Sequence, residues 1–252
     1  NLDFASISHN WVSSFTFSKD HREDILLRSI GNNGVTHSIN YDALDPAETG
    51  LDYQPVYQTN SNQTYPYVNI GVSRGTKVVT GLTRSASGTT TVKQAYSYYA
   101  GVSNVSGLGF MGFEGIAKSN WYTSSSDRIY SISKHDAQLR GATTSDYTVP
   151  YNIYFTYIPS NYINKTTYTN SATTLSNKVF KLSTTSVVLQ NRLQGTTTTK
   201  SFIYDSYNNP TRITTSYSGS GTKVENITYA NSTGSNYYIG RTTKKIISHT
   251  IG

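Results

Sequence analysis

The chain has 252 residues, 22 of them tyrosine, no cysteine, and a formal net charge of +7 from 21 Lys and Arg against 14 Asp and Glu. Without cysteine there are no disulfides, thiolate metal sites or cysteine nucleophiles, and at 13% aromatic and 14% charged the chain is not a disordered polyelectrolyte. Its basic residues stand singly apart from Lys244-Lys245, which argues against a nucleic-acid-binding stripe, and no window approaches the ~18 consecutive apolar residues of a membrane span.

Asn1-Leu2-Asp3-Phe4 lacks the basic flank and apolar core of a signal peptide. Residues 19–28 form the one charged stretch of helical length, with Ser18 placed as an N-cap. They read instead as the entry to a strand, because a chain rich in Thr, Ser and Tyr favours pleated surfaces. Two β-prone runs, 26–30 and 35–41, flank Gly31-Asn32-Asn33-Gly34, whose residues tolerate positive φ, and predict a hairpin. Residues 45–67, with Pro46, Pro55 and Pro66, read as an irregular crossing. A second hairpin joins 78–84 to 89–98 around Ser85-Ala86-Ser87-Gly88, with Val92, Gln94, Tyr96 and Tyr98 on one face. Further strands are expected over 147–158, broken by Pro150, and over 178–190, 196–204 and 241–249. The third hairpin pairs 211–217 with 222–229 around Ser218-Gly219-Ser220-Gly221; Glu225, Ile227 and Tyr229 take one face, and Val224, Asn226 and Thr228 the other. The expected class is all-β, built of antiparallel hairpins, with a soft boundary dividing 1–149 from 150–252. A start without methionine and an end directly after a strand-like run predict a fragment of something longer.

Chemistry is sparse. A P-loop needs Gly-Lys-Ser/Thr closing a glycine-rich turn, and Gly75-Thr76-Lys77 is only a piece of one. No Gly-x-Ser-x-Gly elbow occurs. The histidines, His9, His21, His37, His135 and His249, are too scattered to offer two imidazoles to one metal. His135-Asp136 are adjacent on a strand and point to opposite faces. Asp42, Asp45, Glu48 and Asp52 share one stretch, with nothing to fix the separation a glycosidase pair requires. Asn40-Tyr41-Asp42 supplies two positions of a calcium loop without the rest. Sequons at Asn62, Asn104, Asn164, Asn226 and Asn231 follow from composition. No catalytic, cofactor-binding or metal-binding residue is predicted, and the chain reads as a non-enzyme.

The informative string is Tyr204-Asp205-Ser206-Tyr207-Asn208-Asn209-Pro210, a strand end followed by a polar turn. Asp205 can accept from turn amides, Asn208 or Asn209 can adopt positive φ, and Pro210 excludes helix before it. As a string it resembles the Tyr-Asp-x-x-Gly-Asn repeat of the RHS (YD-repeat) family, with Asn208 where that family usually has glycine. Gly107-Leu108-Gly109-Phe110-Met111-Gly112-Phe113-Glu114 resembles the Gly-Arg-Gly-Phe-Leu-Gly-Phe element upstream of the repeats in toxin-complex B-component-like proteins, with Leu108 in place of arginine. Asn236-Tyr237-Tyr238-Ile239-Gly240-Arg241-Thr242 resembles the aromatic-x-x-Gly-Arg element leading into the first full repeats. The 26–41 hairpin resembles one lying earlier in the same region, so the order agrees along nearly the whole chain.

The resemblance implies a curved, shell-like sheet: residues 1–149 match the pre-repeat middle part, and 150–252 lead into the RHS shell. It implies a secreted or cell-surface bacterial scaffold, virulence-associated, that helps encase a C-terminal toxin or effector domain. Its partners would be the rest of its own chain, or a complementary shell subunit, and the encapsulated cargo. No catalytic residue is carried over, because the family's self-cleaving aspartates belong to a segment this chain does not resemble. A carbohydrate-binding or adhesin module, stacking sugars on Trp11, Trp121 and exposed tyrosines, stays open, as does a β-fold hydrolase.

Overall fold

The computed structural model describes residues 26–251 and the backbone of two strands before them, β1 (Phe4–Ser8) and β2 (Trp11–Phe15), which pair antiparallel as a separate ribbon. Up to residue 25, the strand entry expected over 19–28 lies outside the described residues, as do His9 and His21. Of the described residues 63% are in strands and 3% in short 3-10 turns, so the chain is all-β. The other fifteen strands belong to one sheet, antiparallel throughout except for one two-residue parallel pairing.

The chain divides into two compact units, Asn1–Phe110 with Ile116–Arg128, and Met111–Gly115 with Ile129–Gly252. The first unit holds β3 (Ser29–Asn32), β4 (Val35–Leu44), β5 (Tyr57–Gln58), β6 (Tyr67–Asn69), β7 (Ser73–Ala86) and β8 (Val92–Asn104). β3 and β4 are joined through Asn33-Gly34, at φ 48° and 74°, the double positive φ of a turn whose twist matches its strands. The loop is therefore shorter than the sequence suggested, since Gly31 and Asn32 are strand. The irregular 45–67 crossing contains a 3-10 turn at Leu51–Tyr53 and then supplies core: Val56 and Tyr57 are 0% and 1% exposed. The Tyr57 hydroxyl donates to the Ile70 carbonyl and accepts from Gly101 N at 2.9 Å, fixing the crossing to β8. β8 departs from the expected one-sided pattern. Gln94, Ala95 and Ser97 are all buried, because the strand is covered on both faces.

β9 (Gly109–Ser119) is divided between the units. The second unit continues as an antiparallel meander of sequence neighbours: β10 (Ile129–Asp136), β11 (Ala142–Pro150), β12 (Asn164–Thr174), β13 (Phe180–Asn191), β14 (Thr196–Tyr204), β15 (Pro210–Tyr217), β16 (Gly221–Ser232) and β17 (Tyr238–Thr250). Two strands the sequence did not suggest, β9 and β12, complete the order, and β10 is the full extent of the strand on which the sequence placed His135-Asp136. The strand expected over 147–158 is instead β11, which starts earlier and stops at Pro150, where the ring removes the next ladder donor. Tyr130, Ile132, Tyr147, Val149 and Phe155 are buried on and beside β10 and β11. From β12 onward Thr215 is the only buried residue among those described; the remaining side chains are half-buried or exposed.

Candidate functional site

The Asp205 turn joins β14 to β15, and its geometry is built almost wholly from side-chain amides and backbone. Asp205 Oδ1 accepts from Tyr207 N at 2.9 Å and Asn209 N at 2.8 Å, and Oδ2 accepts from Asn209 Nδ2 at 2.9 Å. Backbone bonds close the loop, from Asn208 N to Asp205 O at 3.1 Å and from Asp205 N to Asn209 O at 3.0 Å. Asn208 adopts φ 69°, a conformation that Asn tolerates far better than branched residues do.

Most residues of the turn are also tied outward. Asn208 Nδ2 donates to Leu182 O at 3.0 Å, and its Oδ1 accepts from the Ser183 hydroxyl. Tyr204 OH donates to Thr184 O at 2.7 Å, and Tyr229 OH to Pro210 O at 3.1 Å. Asn231 Nδ2 reaches Asp205 Oδ2 at 3.4 Å, while its Oδ1 accepts from Gly240 N at 2.7 Å. Gly240 sits at φ 79°, and a Cβ there would lie 2.9 Å from Asn209 Oδ1. Two strings that the sequence presents separately, the Tyr-Asp turn and the Gly240-Arg241 element, thus meet in one cluster. Arg241 places its guanidinium 6.0 Å over the Tyr238 ring.

Neighbouring turns at the same end of the meander are linked in the same manner. Arg140, in the β10–β11 turn, stacks 4.6 Å over Phe180 at the start of β13, and Lys181 Nζ donates to Ser206 O at 3.2 Å. From the β10–β11 turn to the β16–β17 turn, contacts run element to element.

Burial pushes the Asp205 carboxyl up, but the hydrogen bonds from Asn209 side chain and backbone, Tyr207 and Asn231 outweigh it and hold the group below its ordinary value. Both oxygens of this ionised carboxylate accept from amides of its own turn and of Asn231. It is a turn staple.

Gly107, Gly109, Phe110, Gly112 and Phe113 form a separate element, the β8–β9 turn and the start of β9. Gly107, Gly109 and Gly112 have φ of 109°, 70° and 102°, so the glycine pattern has a backbone cause, and Asn104 Oδ1 caps the turn from Ser106 N at 2.9 Å. Phe110 is exposed and Phe113 half-buried.

The carboxylates considered as a pair are engaged separately: Asp42 by the Thr80 hydroxyl, Asp45 by Ala47 N and by Arg74 at 2.9 Å, Asp52 by Lys93 at 3.0 Å. Asn40-Tyr41-Asp42 is strand, not loop. Asp136 caps Gln138 N at 2.8 Å in its own turn instead of orienting His135. Among the described residues no three His, Cys, Asp or Glu gather as a metal site. Trp121 is half-buried, with the Arg84 guanidinium 5.0 Å over its ring and His37 against its edge; the Trp11 side chain lies outside the described residues.

The sequence reading missed the roles of Asn231 and of Ser183 and Leu182. Each acts through a register that only the paired strands define, and no local signal marks it. No protein-family model matches the chain, and no curated protein matches it.

Proposed function

We propose that this chain is a non-enzymatic structural segment of a secreted RHS-type scaffold, part of a curved β-sheet casing around a C-terminal toxin or effector domain. The observation that carries the reading is the β12–β17 meander. Six successive strands pair only with sequence neighbours and bury one residue, Thr215, so their cohesion comes from ladders and stapled turns more than from a core of their own. A sheet of that kind suits a strip that continues into further strands and faces a cargo. The Tyr204–Pro210 string supports it too, since its Asp and Asn side chains are spent on the turn and leave no reactive constellation.

The test uses the longer protein to which the segment belongs. Its C-terminal domain should resist protease while the casing is intact, and become digestible when Asn208→Val loosens the strip. Digestion of that domain at equal rates in both proteins contradicts the reading.

A further inference from the structure

We propose that a groove on the first unit, at the turn end of the β3-β4-β7-β8 sheet, binds an anionic saccharide and grips its carboxylate through Arg84 and His37. This proposal does not depend on the scaffold reading.

The groove is a product of register. His37 lies opposite Arg84, Arg84 opposite Val92, and Val35 opposite both Asn32 and Ala86. Residues opposite one another in an antiparallel ladder share a face, as do alternate residues along a strand, so Val35, His37, Arg84 and Val92 make one floor. The β3–β4 and β7–β8 turns flank it and contribute Asn33, Thr89 and Thr90, leaving about 570 Å³, within the range of small-molecule sites.

Its chemistry is one-sided. No Asp or Glu lines the groove, and no carboxylate pairs with Arg84 among the described residues. Arg84 is exposed yet oriented, because its guanidinium lies 5.0 Å over the Trp121 ring. A guanidinium stacked in this way loses little freedom when its planar fork meets a carboxylate. The imidazole of His37, edge-on to the same ring at 6.2 Å between centroids, stands beside it as a second nitrogen donor. Around this pair the lining combines hydroxyls and amides, which suit sugar hydroxyls, with the apolar Val35, Ala86 and Val92, which suit the C–H faces of a sugar ring. The Trp121 face is already covered by Arg84, so the site selects charge instead of offering a bare stacking platform for neutral sugar.

Calorimetry of the native chain with trigalacturonate tests this, and Trp121 fluorescence in a Trp11→Phe background gives an independent readout. The expected result is saturable binding, weakened at least about tenfold by Arg84→Ala, the order expected for a lost hydrogen bond to a charged group. Arg84→Lys should weaken it as well, since an ammonium keeps the charge but not the fork. Maltotriose, which has the rings without the carboxylates, and a tetraglutamate peptide, which has the carboxylates without the rings, should bind more weakly than trigalacturonate. Absence of saturable binding, unchanged affinity in Arg84→Ala, or equal affinity for either control ligand overturns the proposal.

Discussion

Asn208 shows how a local expectation changes once its neighbours are known. From the turn alone, glycine at 208 is expected to be neutral or mildly stabilising, because φ 69° favours it. The Asn208 side chain, however, bonds to Leu182 O and Ser183, so Asn208→Gly should cost about 1 kcal/mol through those lost bonds. Asn208→Val loses the same bonds and adds backbone strain, for a total of about 2–3 kcal/mol. Chemical denaturation midpoints of the three proteins check the order wild type, Gly, Val. Asp205→Ala should cost about 1 kcal/mol by stranding the Tyr207 and Asn209 amides. The pH dependence has a definite sign. Because the folded Asp205 titrates below its ordinary 3.8, its contribution is fully present above that value and is lost as pH falls through the lower folded one. A stability profile of Asp205→Asn against wild type should therefore converge in acid and separate on the neutral side.

At the scale of elements, β16 and β17 are joined by a charge cluster on one face. Glu225 accepts from Lys223 Nζ at 2.7 Å and Lys245 Nζ at 2.5 Å, which hold its carboxyl down to about 2. The stabilisation is complete above the ordinary 4.5 and disappears as pH falls through about 2. Glu225→Gln should speed amide exchange in β17 at neutral pH and low salt, and the difference from wild type should shrink in high salt. In the first unit, a Cβ at Gly81 would lie 2.5 Å from Leu51 Cγ, so Gly81→Ala should cost about 1–3 kcal/mol, read as a lowered thermal midpoint. The hairpins centred on Asn33-Gly34, Gly88 and Gly219 were legible because turn chemistry is local: each of those glycines takes positive φ. β12 was not legible, and the reason is physical. Its exposure largely alternates between half-buried and exposed along Asn164–Thr174, with threonine on both faces, so no apolar period marks it. β9 was hidden by Gly109, Gly112 and Gly115, which read as breakers in a strand.

For the whole molecule, stabilisation changes character along the chain. Val56, Tyr57, Ala100 and Val102 give the first unit a buried core, and Tyr130, Ile132, Tyr147 and Val149 give the second one on β10 and β11, whereas β12–β17 rely on ladders and on the chain of turn contacts ending at Asn231 and Gly240. The all-β class follows from composition and turns. The convergence of Asp205 with Gly240 does not, since it depends on the β15–β16 and β16–β17 registers that place β17. The end strand β17 has every residue from Arg241 to Thr250 exposed, including Ile246 and Ile247 at 46% and 47%, and it carries Arg241, Lys244 and Lys245 with no acidic residue. Such an edge repels a second copy of itself and, in the scaffold reading, is covered by the next strand of the strip. Hydrogen exchange of the 238–250 amides, measured in the isolated chain and in the longer scaffold protein that this reading proposes, tests this most directly. The account predicts fast exchange along the free edge in the isolated chain and strong protection in the longer protein; equally fast exchange in both would contradict it.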